Sequence, residues 1–395
     1  MNTSLVRLVL SGLPWAAMSL AGAAPGVEPA PAWGRIDDSA ATLGRYVFRV
    51  ERWPDDRRLA VPAGLPQIVR ATAAGEPRDL LVEYNADATS IAILAPSTAD
   101  PPAAVLVDTA EETRQFEDGG IVLTARDATV EGTRAALESH PANHRIGFWT
   151  NESDAVAWKH KFTRWGAYEV RLAYSTASAD GTEIEVSVGD TKLPGRLTST
   201  GSWYRYTTLP LGRVVIPAAG EMPVTVRCTK KVGDAVMNLK AVSLVPTCEG
   251  TPPVQADDGS VTLHGRDATV RGTNLRWEPA EKKQTLGFWT RPTDAAEWVF
   301  TVRTPGTFEV EVLQGCGSGQ GGSEVAVELD PGRPTAQPLA FTVEDTGGFQ
   351  EFRPRTIGRV TIADAGEHLL RVQPRTIAKA AACDIRQIRL VPAAE

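Results

Sequence analysis

Apolar and polar residues alternate along this chain in short runs, as at Tyr168, Val170, Leu172, at Ile184, Val186, Val188, at Val224, Val226, and at Leu239, Val242, Leu244. Gly, Pro, Asp and Asn break the runs, and no stretch sustains a 3.6-residue apolar period with caps. A period of two over short segments predicts β-strands buried on one face. The pattern is also written twice. Ile121-Val-Leu-Thr-Ala-Arg-Asp-Ala-Thr-Val130 recurs as Val261-Thr-Leu-His-Gly-Arg-Asp-Ala-Thr-Val270, and at the same offset of 140 Ile146-Gly-Phe-Trp-Thr150 meets Leu286-Gly-Phe-Trp-Thr290. Asp154 then meets Asp294, and Trp158 meets Trp298; after insertions the offset becomes 146, pairing Leu211-Gly-Arg-Val-Val-Ile216 with Ile357-Gly-Arg-Val-Thr-Ile362. Eight or so strands in about 130 residues predict a two-sheet sandwich of jelly-roll type for each copy. Trp158 and Trp298, set among strand hydrophobes, read as core.

The register divides the chain before any chemistry is considered. It places one sandwich over residues 117–248 and the other over 257–393. Shorter β-like runs at Tyr46–Val50, Leu80–Tyr84, Ile91–Leu94 and Ala103–Val107 predict a small β-domain over 35–110, set off by the acidic stretch Asp108 to Asp118. The expected fold class is therefore all-β: a small N-terminal β-domain followed by two tandem jelly-roll β-sandwiches.

Composition adds limits to partners and compartment. The net charge is −7 and no Lys/Arg-rich run occurs, which argues against nucleic acid or an anionic membrane surface. Arg7, the apolar stretch Leu8–Leu20 and Ala21-Gly-Ala-Ala24 have the parts of a secretory signal over residues 1–24. The stretch is too short to span a bilayer, so the expectation is a secreted or periplasmic protein with no membrane insertion. Oligomeric state is left open. Of the four cysteines, Cys228 and Cys248 align with Pro374 and Ala394, while Cys316 and Cys383 align with Thr176 and Met237. Each copy thus holds two cysteines that the other lacks, and if partners are gained together the bonds are Cys228–Cys248 and Cys316–Cys383. Free or metal-bound thiols are the alternative, without a C-x-x-C spacing to favour metal.

The ordered set A-x-D-A, I-G-F-W, D-x-x-x-W, G-x-Y-x-V, a T-G-x-W or T-G-x-F turn, L-G-x-V-x-I, A-G and a closing N-L-x-x-V strand resembles family 6 and family 35 carbohydrate-binding modules, of the galactose-binding-like class. The resemblance covers both repeats. It implies a sugar held between an aromatic after Gly, a Trp at the T-G-x-W turn and an Asn near the last strand. These are Phe148, Trp203 and Asn238 in the first copy, and Phe288, Phe349 and Asp384 in the second. A flat π-face suits the C–H face of a pyranose, and an amide suits vicinal hydroxyls. Adjacent strand residues face opposite ways, so only one of Phe148 and Trp149 joins the core while the other is exposed or lines a cleft; these two and the matched Phe288 and Trp289 stand as candidates. These families often hold a structural Ca²⁺ through a Glu whose place here is taken by Arg126 and Arg266, which cannot ligate a hard cation. No metal and no cofactor is therefore expected. The segment Trp53-Pro-Asp-Asp-Arg-Arg-Leu-Ala-Val-Pro62 looks like the C-terminal β-sandwich of family 29 α-L-fucosidases, whose catalytic barrel would precede it; the roughly 20 residues available are too few for a barrel.

Catalytic patterns are weak. His140 and His144 are separated by Pro141, and Gly315-Cys-Gly-Ser-Gly-Gln-Gly-Gly322 has no Lys-Ser/Thr after it. The matched pairs Asp127/Asp267 and Asp154/Asp294 read as turn formers rather than opposed acids. The expected function is an exported, non-catalytic binder of a glycan or polysaccharide. The rival readings are a structural or protein-interaction sandwich protein without sugar binding, and a fucosidase-like hydrolase accessory without its barrel.

Overall fold

The structure, a computed structural model, describes residues 31–74, 78–97, 100–140 and 143–394. The expected leader over residues 1–24 lies outside them. Apart from three-residue 3-10 turns at Ala41–Leu43, Ala125–Asp127 and Gly265–Asp267, the regular elements among the described residues are β-strands. The chain is all-β, with a small N-terminal β-domain followed by two jelly-roll sandwiches. No helix among the described residues is long and apolar enough to cross a membrane.

The two sandwiches repeat one another strand for strand. One sheet of the first runs Ser202–Ile216, Gly166–Thr176, Asn238–Pro246, Arg145–Gly147, Ala136–Glu138, and the other runs Thr129–Glu131, Ala155–Phe162, Gly220–Lys230, Glu183–Val188, Thr191–Arg196. In the second sandwich the same order is kept from Gly348–Ile362 to Arg276–Glu278 and from Thr269–Arg271 to Gln337–Thr342. Alternation delivers the inward residues to the core: Tyr168, Val170 and Leu172 in one copy, Phe308, Val310 and Val312 in the other. Trp158 and Trp298 are buried there, each donating its indole N–H to a carbonyl of the first strand or its end, Thr124 at 2.8 Å and His264 at 2.7 Å. An anchor that combines a large apolar area with a satisfied polar end is worth several kcal/mol, about 3–5 for Trp→Ala.

Polar groups join the parts. Strand Asp79–Tyr84 of the small domain pairs with Ser202–Ile216 through Arg205↔Glu83 and Tyr206↔Val82, so the first sheet of the sandwich continues into the small domain. Next to that seam the Lys240 ammonium lies 3.7 Å and 4.0 Å from the ring centroids of Tyr84 and Tyr206. Burial, with help from Arg145, pushes the Lys240 pKa well below its usual value. The acidic stretch expected to separate the domains instead closes them: Ala110 and Phe116 join Val69, Val122, Ala173 and Ala241 in an apolar cluster across the boundary. Between the sandwiches, buried Arg164 donates to the carbonyls of Gly272 at 2.9 Å and Val270 at 3.0 Å.

All four cysteines are free thiols, which corrects the expected pairing. Strand Gly220–Lys230 begins opposite Phe162, and Cys228 stands near its far end, opposite Ile184. Cys248 instead follows Pro246, which pairs with Tyr168 near the start of strand Gly166–Thr176. The length of that strand, at about 3.3 Å per residue, separates the two, whereas a disulfide needs Cα atoms within about 7 Å. Cys316 and Cys383 flank the Gly315↔Asp384 pair on neighbouring strands and are buried and unbonded. There the two thiols pack as small hydrophobes. Non-reducing peptide mapping is expected to return no Cys228–Cys248 peptide, and native alkylation to reach half-buried Cys228 and Cys248 before Cys316 and Cys383. A Cys228–Cys248 link in folded protein would contradict the strand arrangement.

Candidate ligand site

The repeated Gly-Phe-Trp segment ends the short strands Arg145–Gly147 and Thr285–Gly287, and in both copies its Phe adopts a left-handed backbone, φ +51° at Phe148 and +60° at Phe288. The turn closes when the N–H of Thr150 donates to the Phe148 carbonyl at 2.8 Å, and that of Thr290 to Phe288 at 2.9 Å. Its effect is to send neighbouring rings in opposite directions. Trp149 and Trp289 are 0% exposed, while Phe148 is 64% and Phe288 43% exposed. The two tryptophans, carried as cleft candidates, are thus core residues, and their carbonyls are fixed by the N–H groups of Val236 and Ala382 at 2.8 Å. Left-handed geometry costs a bulky residue about 1–3 kcal/mol and collects at functional sites.

Asp154 and Asp294 were expected as surface turn formers, but both are buried. Asp154 accepts the backbone N–H groups of Thr133, Arg134 and Ala135 at 2.9, 2.8 and 2.7 Å, and Asp294 those of Thr273, Asn274 and Leu275 at 3.3, 3.0 and 2.7 Å. Burial opposes ionisation of Asp154, yet the three donors hold its pKa below the usual value. Each carboxylate fixes the loop that leads into the next strand, Ala136–Glu138 or Arg276–Glu278.

That strand delivers a residue the motif comparison missed. Glu138 and Asn238 meet over Gly147, where their side-chain oxygens occupy the space a Cβ would take; Glu278 and Asp384 meet over Gly287 in the same way. Glu138 is held by Arg145 in a two-point ion pair, at 3.1 and 2.8 Å, and that pair outweighs burial to raise the arginine pKa. Glu278 is held by Lys283 at 2.6 Å. The signal was present in the sequence, since Glu138 and Glu278 are related by the same offset of 140.

In the first copy two of the three expected residues are bonded to each other. Asn238 donates through Nδ2 to the Trp203 carbonyl at 2.8 Å, a carbonyl that also accepts Ser175 Oγ at 2.7 Å, and Trp203 is half-buried. Phe148 follows the glycine over which Asn238 and Glu138 converge. The first lip therefore combines an exposed aromatic ring, an acid–guanidinium pair and an amide. The second is more encumbered: the Arg276 guanidinium lies 3.3 Å from the Phe288 ring centroid and 3.9 Å from that of Trp165, a residue of the first sandwich. Phe349 packs against Gly317, and Asp384 is buried beside Glu278.

Residues 127–246 match the sequence model described as carbohydrate binding module (family 6). Among solved structures, a family 35 carbohydrate-binding module from Clostridium thermocellum is 14% identical, covering 32% of this chain and 96% of its own, with a TM-score of 0.28. The C-terminal family 6 module of LamC, a laminarinase from Zobellia galactanivorans, is 17% identical, covering 32% and 98%, with a TM-score of 0.27. A Paenibacillus xanthan lyase is 13% identical, covering 91% of this chain and 33% of its own, with a TM-score of 0.31. No curated protein sequence matches.

The strain at the lip is measurable. Phe148→Gly removes an exposed ring and a disfavoured φ, so urea unfolding is expected to show unchanged or higher stability, by up to about 1 kcal/mol. Phe288→Gly also loses the contacts with Arg276 and Trp165 and is expected to be destabilised. Equal losses at both positions would contradict this difference between the copies.

Proposed function

We propose that this chain is an exported, non-catalytic glycan-binding protein, and that the first sandwich is its principal site. The observation that carries the reading is Phe148, exposed and held left-handed beside Glu138, Arg145 and Asn238. A sugar ring would lay its C–H face on Phe148, with Trp203 as the second wall, and present hydroxyls to Glu138 and to the Asn238 oxygen. Most of Asn238's contribution is indirect, because its N–H already positions the Trp203 carbonyl. The match of residues 127–246 to the family 6 description supports the same assignment.

The non-catalytic part of the reading rests on how the acids are used. Glu138 is paired with Arg145, and Asp154 is occupied by three backbone N–H groups, so neither is placed as a free general acid or nucleophile. The small β-domain, tied to the sandwich through Tyr84, Tyr206 and Lys240, serves as a fixed support in this account. A weaker second site would add avidity on a polymer.

A glycan array probed with wild type, Phe148→Ala and Asn238→Ala tests the proposal, each variant being checked for an unchanged melting curve. Loss of one aromatic platform is expected to weaken binding by about 1–2 kcal/mol, or about five- to thirtyfold. Wild type that binds no glycan, or folded Phe148→Ala that binds as wild type does, would overturn it; the former outcome leaves the interaction-module reading.

A further inference from the structure

The two copies differ where a side chain holds the carbonyl of the cleft aromatic. In the first, the Trp203 carbonyl receives Ser175 Oγ and Asn238 Nδ2. In the second, the register puts Gly315 and Asp384 at those places, and among the described residues no side-chain donor reaches the Phe349 carbonyl. Serine could not return at position 315, because a Cβ there would overlap the Phe349 carbonyl oxygen. The residue at the place of Asn238 is Asp384, and a carboxyl group has a donor, its O–H, only while it carries its proton.

We propose that Asp384 determines the specificity of the second cleft by gating it with a proton: the cleft takes a sugar while the Asp384 carboxyl is protonated and loses it when the proton leaves. This rests on reading the aromatic lips as sugar sites. Protonated, Asp384 donates an O–H to the Phe349 carbonyl and reproduces the Asn238 arrangement. Ionised, it is acceptor-only and puts a second negative charge beside Glu278 over Gly287.

The groups around it support the gate. Glu278 comes from the strand Arg276–Glu278 and Lys283 from the loop after it, already paired with Glu278 at 2.6 Å. The Cys316 thiol lies on the neighbouring strand and the Cys383 thiol is the adjoining residue. On its own strand, Arg386 donates to the carbonyls of Lys282 and Lys283 and stacks on Phe352, 3.9 Å from the ring centroid. Burial above all, and then Glu278, outweigh Lys283 and push the Asp384 pKa up to about 7. The first copy has no such group: Asn238 does not titrate, and Arg145 matches the charge of Glu138.

A folded-state pKa raised above 3.8 means that the contribution of Asp384 is fully favourable below about 4 and is lost as pH rises to about 7. Two measurements on the full chain test the proposal. Melting curves of wild type and Asp384→Asn from pH 4 to 9 should coincide most closely near pH 4 and separate in favour of the variant by pH 8; a pH-independent difference would overturn the gate. A glycan array probed between pH 5 and 9 with Phe148→Ala, which weakens the first cleft, should lose the second cleft's share of binding by about tenfold per pH unit above 7, as the competent fraction falls. The double variant Phe148→Ala/Asp384→Asn should bind with little pH dependence. Loss in both, or in neither, would contradict the proposal. Absence of binding by wild type at every pH would overturn the sugar reading and the gating with it, whereas a failure of the gate alone leaves wild-type binding intact and the melting curves parallel.

Discussion

Everything at the candidate site depends on a backbone turn that puts two neighbouring aromatics on opposite sides. Trp149 and Trp289 must lie in the core, where they are fully buried and their carbonyls are tied to the loop before the last strand. The residue before each leaves the core through a left-handed φ, adopted by both Phe148 and Phe288. A strand continued through this point would also alternate, but it would lack the closure back onto the Phe carbonyl. The strain is held by its surroundings: the buried indole on one side and the aspartate-braced loop on the other.

The modules are coupled by cations in apolar seams. Arg164 replaces water for two carbonyls of the second sandwich, Arg276 fills the gap between Trp165 and Phe288, and Lys240 lies between two tyrosines at the junction with the small domain. Such contacts fix orientation more than they add net stability, because removing charge from water offsets most of what the new contacts contribute. Their functional effect differs between the copies. The Arg276 seam covers part of the Phe288 lip, while Phe148 is left exposed, so the same fold presents one open aromatic platform and one that is shared with the neighbouring module.

The strands, their doubling and the core tryptophans were legible because alternation is a local property and the repeat supplied an internal control. The trio Phe148, Trp203 and Asn238 was legible as a set, but the role of each was not: adjacency alone cannot say which aromatic faces the core, and a hydrogen bond from Asn238 to a carbonyl thirty-five residues away leaves no sequence signature. Glu138 and Glu278 could have been found, since both sit at equivalent positions of the repeat. Asp154 and Asp294 were visible and misread, because a carboxylate that braces a loop from within has the same neighbours as one in a surface turn. The first cysteine pair misled for a related reason: correlated presence reports shared packing as readily as a bond, and the path of the strands separates Cys228 from Cys248. The acidic stretch Asp108 to Asp118 concealed Ala110 and Phe116, whose burial depends on contacts distant in sequence.

The central claim is that the first lip, organised by the Phe148 turn, is where a glycan binds. Amide chemical-shift mapping of the isotopically labelled chain, titrated with the oligosaccharide that wild type binds best on an array, tests it most directly. The account predicts perturbations concentrated at residues 136–150, 202–205 and 238, with smaller, pH-dependent changes at 276–290 and 384. Shifts confined to the small β-domain or to the sheet containing Ala155–Phe162, with Phe148 and its neighbours unmoved, would contradict it.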